Sequence, residues 1–166
     1  MQRSQTFLMF FLFVACAAAF VWMTSDSLPA LVASHFGVSG TADAFMPRDA
    51  YIRFMLAFVI GLPLFVVGLT TLALGSPRAR INVPHREYWL APERREETVS
   101  FLRLHTVRFG GMLVVFLCYV HWLVVRANEA QPVRLDNQWF IGGLAVFVIS
   151  ALAWTKVLLG RFRQVP

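Results

Sequence analysis

The chain has 166 residues, 58% hydrophobic and 14% charged, against about 45–50% and about 25% in an ordinary soluble domain. Mean hydropathy is +0.62, and 14% aromatic residues exclude a disordered or low-complexity chain. Two cysteines cannot build a disulfide framework, and a net charge of +6 in so apolar a chain marks one face of a membrane rather than a nucleic-acid partner.

Spanning the hydrocarbon core takes about 20 apolar residues. Residues 7–23 form the first uncharged run. Arg3 and the small stretch Ala15-Cys16-Ala17-Ala18-Ala19 resemble a secretory signal, but the same small residues suit the packing face of an uncleaved helix, which is expected here. Residues 54–74 form a second uncharged run. In the third, 109–125, the ionisable side chains are Cys118, Tyr119 and His121. The fourth, 139–159, carries one charge, Lys156, near enough to its end to snorkel. Four spans leave no room for a separate soluble domain. The expected fold is an all-α integral membrane bundle occupying 1–166 as one domain, with a cap at 24–53 and an opposite loop at 75–108.

Basic residues orient it. With the N-terminus inside, eleven Lys and Arg fall on the cytoplasmic side (Arg3, Arg78, Arg80, Arg86, Arg94, Arg95, Arg103, Arg108, Lys156, Arg161, Arg163). Four fall outside, at Arg48, Arg53, Arg126 and Arg134. Counting acids, the inner side carries +7 and the outer side −1. The bias predicts cytoplasmic termini and an external 24–53 cap.

The cap is too long for a turn between antiparallel helices, which takes about 2–8 residues. Residues 28–36 read as a short extended segment, Gly37 and Gly40 as turn points, and Asp49 as an N-cap of the second span. Leu28, Pro29, Val32, His35, Phe36, Gly40, Asp43, Phe45 and Arg48 fall in one ungapped pattern. That pattern resembles the bacterial membrane family called domain of unknown function 1648, which includes the immunity and signalling protein for the sporulation-delaying toxin (SdpI). Ala44 stands where the family usually has Gly, and Gly37 where Asn or Asp is common. The resemblance implies an SdpI-like protein acting in immunity, envelope-stress response or signalling, recognising a toxin peptide or envelope component.

In the opposite loop, Asn82-Val83-Pro84-His85-Arg86-Glu87-Tyr88-Trp89 mixes breakers, charge and interface-loving aromatics. Tyr88 and Trp89 are expected to anchor at the headgroups, and with Arg94 and Arg95 to meet lipid, a partner membrane subunit or a cytoplasmic regulator. Pro92 then opens a third helix, running to about Val125 with Glu93, Glu96 and Glu97 in its first turns.

Chemistry is sparse. There is no Gly-rich phosphate loop, no Ser-His-Asp order and no His-Glu-x-x-His, so a non-enzymatic protein is expected. A haem would want a His on a second span, and the other spans have none. No cofactor is expected, unless His35, Asp43 and His121 meet at the outer surface and hold a divalent ion. The same residues would serve equally well as an imidazole–carboxylate bond pinning the loop to the bundle. Gly61-x-Pro63, Gly110-Gly111 and Gly142-Gly143 read as kinks or close helix packing. A second functional class remains: an accessory subunit of a larger membrane complex.

Overall fold

The structure, a computed structural model, describes residues 2–76 and 81–163. Arg78 and Arg80 lie outside the described residues. Helix α1 (Gln2–Thr24) ends in a single 3₁₀ turn, Ser25–Ser27. Strands β1 (Leu31–Phe36) and β2 (Ala42–Pro47) follow as an antiparallel pair. Helix α2 (Arg48–Leu56), a π-helical turn (Ala57–Gly61) and α3 (Leu62–Gly75) then form one rod. A one-turn helix, α4 (Arg86–Trp89), precedes the long α5 (Arg95–Glu129) and α6 (Asn137–Phe162).

Among the described residues, four helices are long and apolar enough to cross a membrane: Ser4–Ser27, Arg48–Gly75, Arg95–Glu129 and Asn137–Phe162. Helix α5 has 35 residues, a length of about 50 Å at about 1.5 Å per residue, so it outruns a core about 30 Å thick. It begins three residues later than Pro92 and continues past Val125 to Glu129. Residues 91–94 form a separate turn, in which Arg94 and Arg95 both donate their amides to the Ala91 carbonyl. The second span bulges where its sequence demands it. Pro63 has no N–H, and its ring crowds the carbonyl four residues back; widening the preceding turn into a π-helix relieves both conflicts.

The buried stripe of α1 is Phe10, Val14, Ala17 and Val21, a spacing of four, three and four that keeps one face inward. It meets Tyr51, Met55, Val59 and Val67 of the second rod, and Val107, Val114, Val124 and Val125 of α5. Apart from Phe10, Tyr51 and Met55, these side chains are Val or Ala, which lets helix axes approach. Gly110 lies where α1, α3 and α5 come together. A Cβ there would stand 2.6 Å from Val67 Cγ2 and 3.1 Å from the Phe10 ring.

Helix α6 leans on α5 and buries none of its most apolar stretch. Its attachment is aromatic and polar. Tyr119 lies flat over Gly143 and donates its hydroxyl to the Trp139 carbonyl at 2.6 Å. Phe116 stacks on Phe147 with centroids 4.5 Å apart. Lower down, His105 Nε2–H donates to the Trp154 carbonyl at 3.0 Å while Trp154 Nε1–H donates to the His105 carbonyl at 2.9 Å. This reciprocal pair, with its rings stacked at 4.5 Å, holds two helices that share little buried surface.

Two expectations change here. The cap contains a second strand, β2, besides the extended segment expected at 28–36. Asp49 does not cap: the helix begins at Arg48, Pro47 holds the N-cap position without a side-chain bond, and Asp49 sits in the first turn. An acid there still favours the helix N-terminus through the dipole.

Candidate functional site

The cap hairpin is closed at its base and held at its tip. At the base, Arg48 donates its amide to the Ala30 carbonyl at 3.0 Å and its Nη1–H to the Leu28 carbonyl at 3.2 Å. Leu28 and Val32 are buried beneath it, in the main core. At the tip, Gly40 takes φ +80°, and a Cβ there would lie 2.4 Å from the Leu135 carbonyl oxygen. Only glycine satisfies both demands. That close approach exists because the tip docks on the α5–α6 connection: Leu135 N–H donates to the Gly40 carbonyl, Arg134 to the Ser39 carbonyl, and Asn137 to the Val38 carbonyl.

The middle of β1 is clamped by one side chain. Asn128 Oδ1 accepts from Ala33 N–H at 2.8 Å, and Asn128 Nδ2 donates to the Ala33 carbonyl at 3.0 Å and to the Val124 carbonyl at 2.9 Å. The carboxamide thus stands in for a neighbouring strand and uses both of its N–H donors. Ala33 is fully buried, so its backbone has no water to fall back on.

On the outer face of the hairpin, His35 Nδ1 and Asp43 Oδ1 are 2.5 Å apart. They meet because the register is bulged twice. His35 pairs with Ala44 and Phe36 with Ala42, leaving Asp43 as the extra residue. Both side chains are open to solvent, at 71% and 50% exposure, and Val38 and Phe45 of the same hairpin are exposed too. The structure brings these two predicted residues together and keeps the third apart.

His121 is wholly buried, and both ring nitrogens are engaged elsewhere. Thr24 Oγ1 lies 2.8 Å from Nε2 and 2.7 Å from the Phe20 carbonyl. The threonine hydroxyl hydrogen is committed to that carbonyl, so Nε2–H donates to Oγ1. Nδ1 then accepts the Tyr51 O–H at 2.9 Å. The network joins α1, α2 and α5, with the Tyr51 ring stacked on the imidazole and Phe20 meeting it edge-on. Among the described residues, no three His, Cys, Asp or Glu side chains group closely enough to hold a metal ion. His121 is a three-helix staple.

At the opposite end, Trp89 is turned inward rather than anchored among headgroups. It is buried against Phe162 and Tyr88, edge-on to both rings. Arg161 lies 4.5 Å from the centre of the Phe101 ring and 5.4 Å from that of Trp89, and its Nη2 pairs with Glu97 at 2.5 Å. Thr98 donates its hydroxyl to the Trp89 carbonyl at 2.7 Å. The reason is geometric: α5 and α6 both project aromatic rings beyond the span ends, giving a loop tryptophan a better surface than lipid. Tyr88 is half-buried beneath the Arg94 guanidinium, 3.9 Å from its ring centre, and Arg95 donates to the Ser76 carbonyl.

Asn128, Thr24 and Tyr51 were missed in the sequence. Their common signal is a polar side chain at the edge of an apolar run, which must find a partner or leave the membrane.

Residues 11–61 match a family model described as Domain of unknown function (DUF1648). The matched stretch runs from within α1, through the whole hairpin, to the π-helical turn. That segment is similar to the DUF1648 family. No curated protein and no solved structure matches the chain. The matched segment is tied to the rest of the chain. It supplies Ala33, Thr24 and Tyr51, whereas Asn128 and His121, which tie them down, come from α5 beyond the match. The pattern in the cap now has physical content: Leu28 is an apolar peg, Arg48 closes the base, Gly40 permits tip docking, and His35–Asp43 spans the strands.

Proposed function

We propose that this is a non-enzymatic, SdpI-like bacterial inner-membrane protein, acting in immunity, envelope-stress response or signalling through an external cap. Both termini face the cytoplasm, following the eleven-to-four bias of basic residues. The observation carrying the reading is the hairpin clamped by Asn128 to α5, the helix that crosses the bundle and protrudes beyond it. A cap so fixed presents His35, Asp43, Val38 and Phe45 to the outside as a rigid polar and apolar surface. Preorganised surfaces lose less entropy on binding a peptide or envelope component. Any tilt imposed on the hairpin is delivered to α5, and along it to Glu97 and the Arg161–Trp89 cluster.

A second reading has its own observation. Helix α6 leaves Trp139, Ile141, Val146, Ile149 and Leu152 exposed along its length, a surface that partner helices of a larger complex would cover as readily as lipid. Photo-crosslinking decides between the two. A photoreactive residue replacing Val38, which is completely exposed, is expected to capture an envelope component or peptide in living cells, while the same group at Ile149 captures lipid only. A stoichiometric membrane protein crosslinked at Ile149, with nothing at Val38, would instead establish the subunit.

A further inference from the structure

Two concavities meet at the α4 end of the bundle. The first is a cleft of about 480 Å³ between α3, α5 and α6, lined by Val66, Leu74, Leu102, Phe109 and Phe162 and walled by residues 81–84. The second, of about 750 Å³, lies over α4 and is lined by Val83, His85, Arg86, Glu87, Tyr88 and Leu90. Val83 belongs to both. The first is mainly apolar, with Thr70, Asn82 and Thr106 as its polar members, and the second mixes Val83, Tyr88 and Leu90 with the charged Arg86 and Glu87 and with His85.

Two guanidinium groups and one carboxylate line or flank the second concavity. Arg86 lines it, and the Arg94 guanidinium lies over the Tyr88 ring that forms its wall. Glu87 is the opposing carboxylate, and His85 adds an imidazole donor. The Arg86 side is exposed rather than tied into the fold, unlike Arg161 and Arg95, which already have partners. The apolar cleft lies between the ends of three spans, where hydrocarbon and headgroups meet. A basic pocket between helix ends on the strongly basic side of a membrane protein is suited to lipid headgroups.

We propose that these two concavities are the head and tail halves of a site for one phospholipid with an anionic headgroup. Its phosphate meets Arg86 and Arg94, and an acyl chain fills the cleft between α3, α5 and α6. Neither half alone accounts for the arrangement. A soluble phosphate compound has no use for the cleft, and a neutral lipid tail has no use for the two guanidinium groups. The proposal goes beyond the cap reading and does not depend on it.

Native mass spectrometry of the detergent-purified chain tests it, with dioleoylphosphatidylglycerol, dioleoylphosphatidylcholine and tail-less glycerophosphoglycerol as probes. One phosphatidylglycerol is expected to be retained at least tenfold more strongly than phosphatidylcholine, and not to be displaced by the tail-less headgroup. Arg86→Gln with Arg94→Gln should abolish that preference while the protein keeps its helical content by circular dichroism, and Arg86→Lys with Arg94→Lys should restore most of it. Thr106→Phe, which narrows the cleft, should weaken retention of both lipids. Equal retention of the two lipids, an unchanged preference in the Gln pair, or displacement by the headgroup alone would overturn the proposal.

Discussion

Replacing His121 by Ala is expected to lower the unfolding free energy of the detergent-solubilised protein by about 2–4 kcal/mol. Interhelical hydrogen bonds in membrane proteins average about 0.6 kcal/mol and reach about 1.7, so the bonds to Thr24 and Tyr51 account for about 1–3 kcal/mol of this. The remainder comes from the cavity left among Phe20, Tyr51 and α1, since a fully buried ring is removed. The two lost bonds are not equivalent. Thr24 keeps its own donor satisfied by the Phe20 carbonyl and loses only an incoming N–H. Tyr51 is left with a buried hydroxyl hydrogen and no acceptor. Tyr51→Phe alone should therefore cost less than His121→Ala, and the double variant less than the sum of the two. Denaturation of the four proteins in one detergent measures that cycle. Strict additivity would show that the Tyr51–His121 bond contributes nothing.

Asn128→Ala should release the hairpin. Ala33 is buried, and losing the carboxamide leaves an amide and a carbonyl unpaired there, at about 1–3 kcal/mol each in a water-free site. The base contacts from Arg48 and the tip contacts from Arg134 and Asn137 persist, so the expected outcome is a loosened cap on an intact bundle. Limited proteolysis within residues 37–41 should accelerate severalfold while helical content is retained. Asn128→Asp is the sharper variant. It keeps an acceptor for the Ala33 N–H but sets a carboxylate oxygen against the Ala33 carbonyl, and should be no better than Ala. Rescue by Asp would mean that only the Ala33 N–H bond matters.

The four spans were legible because a membrane span needs little more than length and absence of charge. The sequence read them at 7–23, 54–74, 109–125 and 139–159, each inside a helix that extends further. Which face of each helix turns inward was not legible. Lipid tails are as apolar as leucine, so exposed Leu8, Phe11 and Leu12 on α1 look no different from buried Phe10 and Val14. The extended segment near His35 was readable from β-tolerant residues, but its partner was not. Strand β2 carries Ala42, Asp43 and Ala44, poor strand formers that are held in place by cross-strand pairing and double bulges. Proximity of His35 to Asp43 followed from the hairpin. Placing His121 with them failed because a polar side chain within a span seeks partners at its own depth, and Thr24 and Tyr51 lie there.

In the proposed orientation the cap lies outside the membrane and the Arg86–Trp89 turn on its cytoplasmic side. A version lacking Cys16 and Cys118, carrying either Val38→Cys or Arg86→Cys, can be treated in intact cells with a membrane-impermeant maleimide. Cysteine 38 should label at once, and cysteine 86 only after the membrane is permeabilised. The reverse pattern, or prompt labelling at both positions, would contradict the orientation on which the external reading of the cap depends.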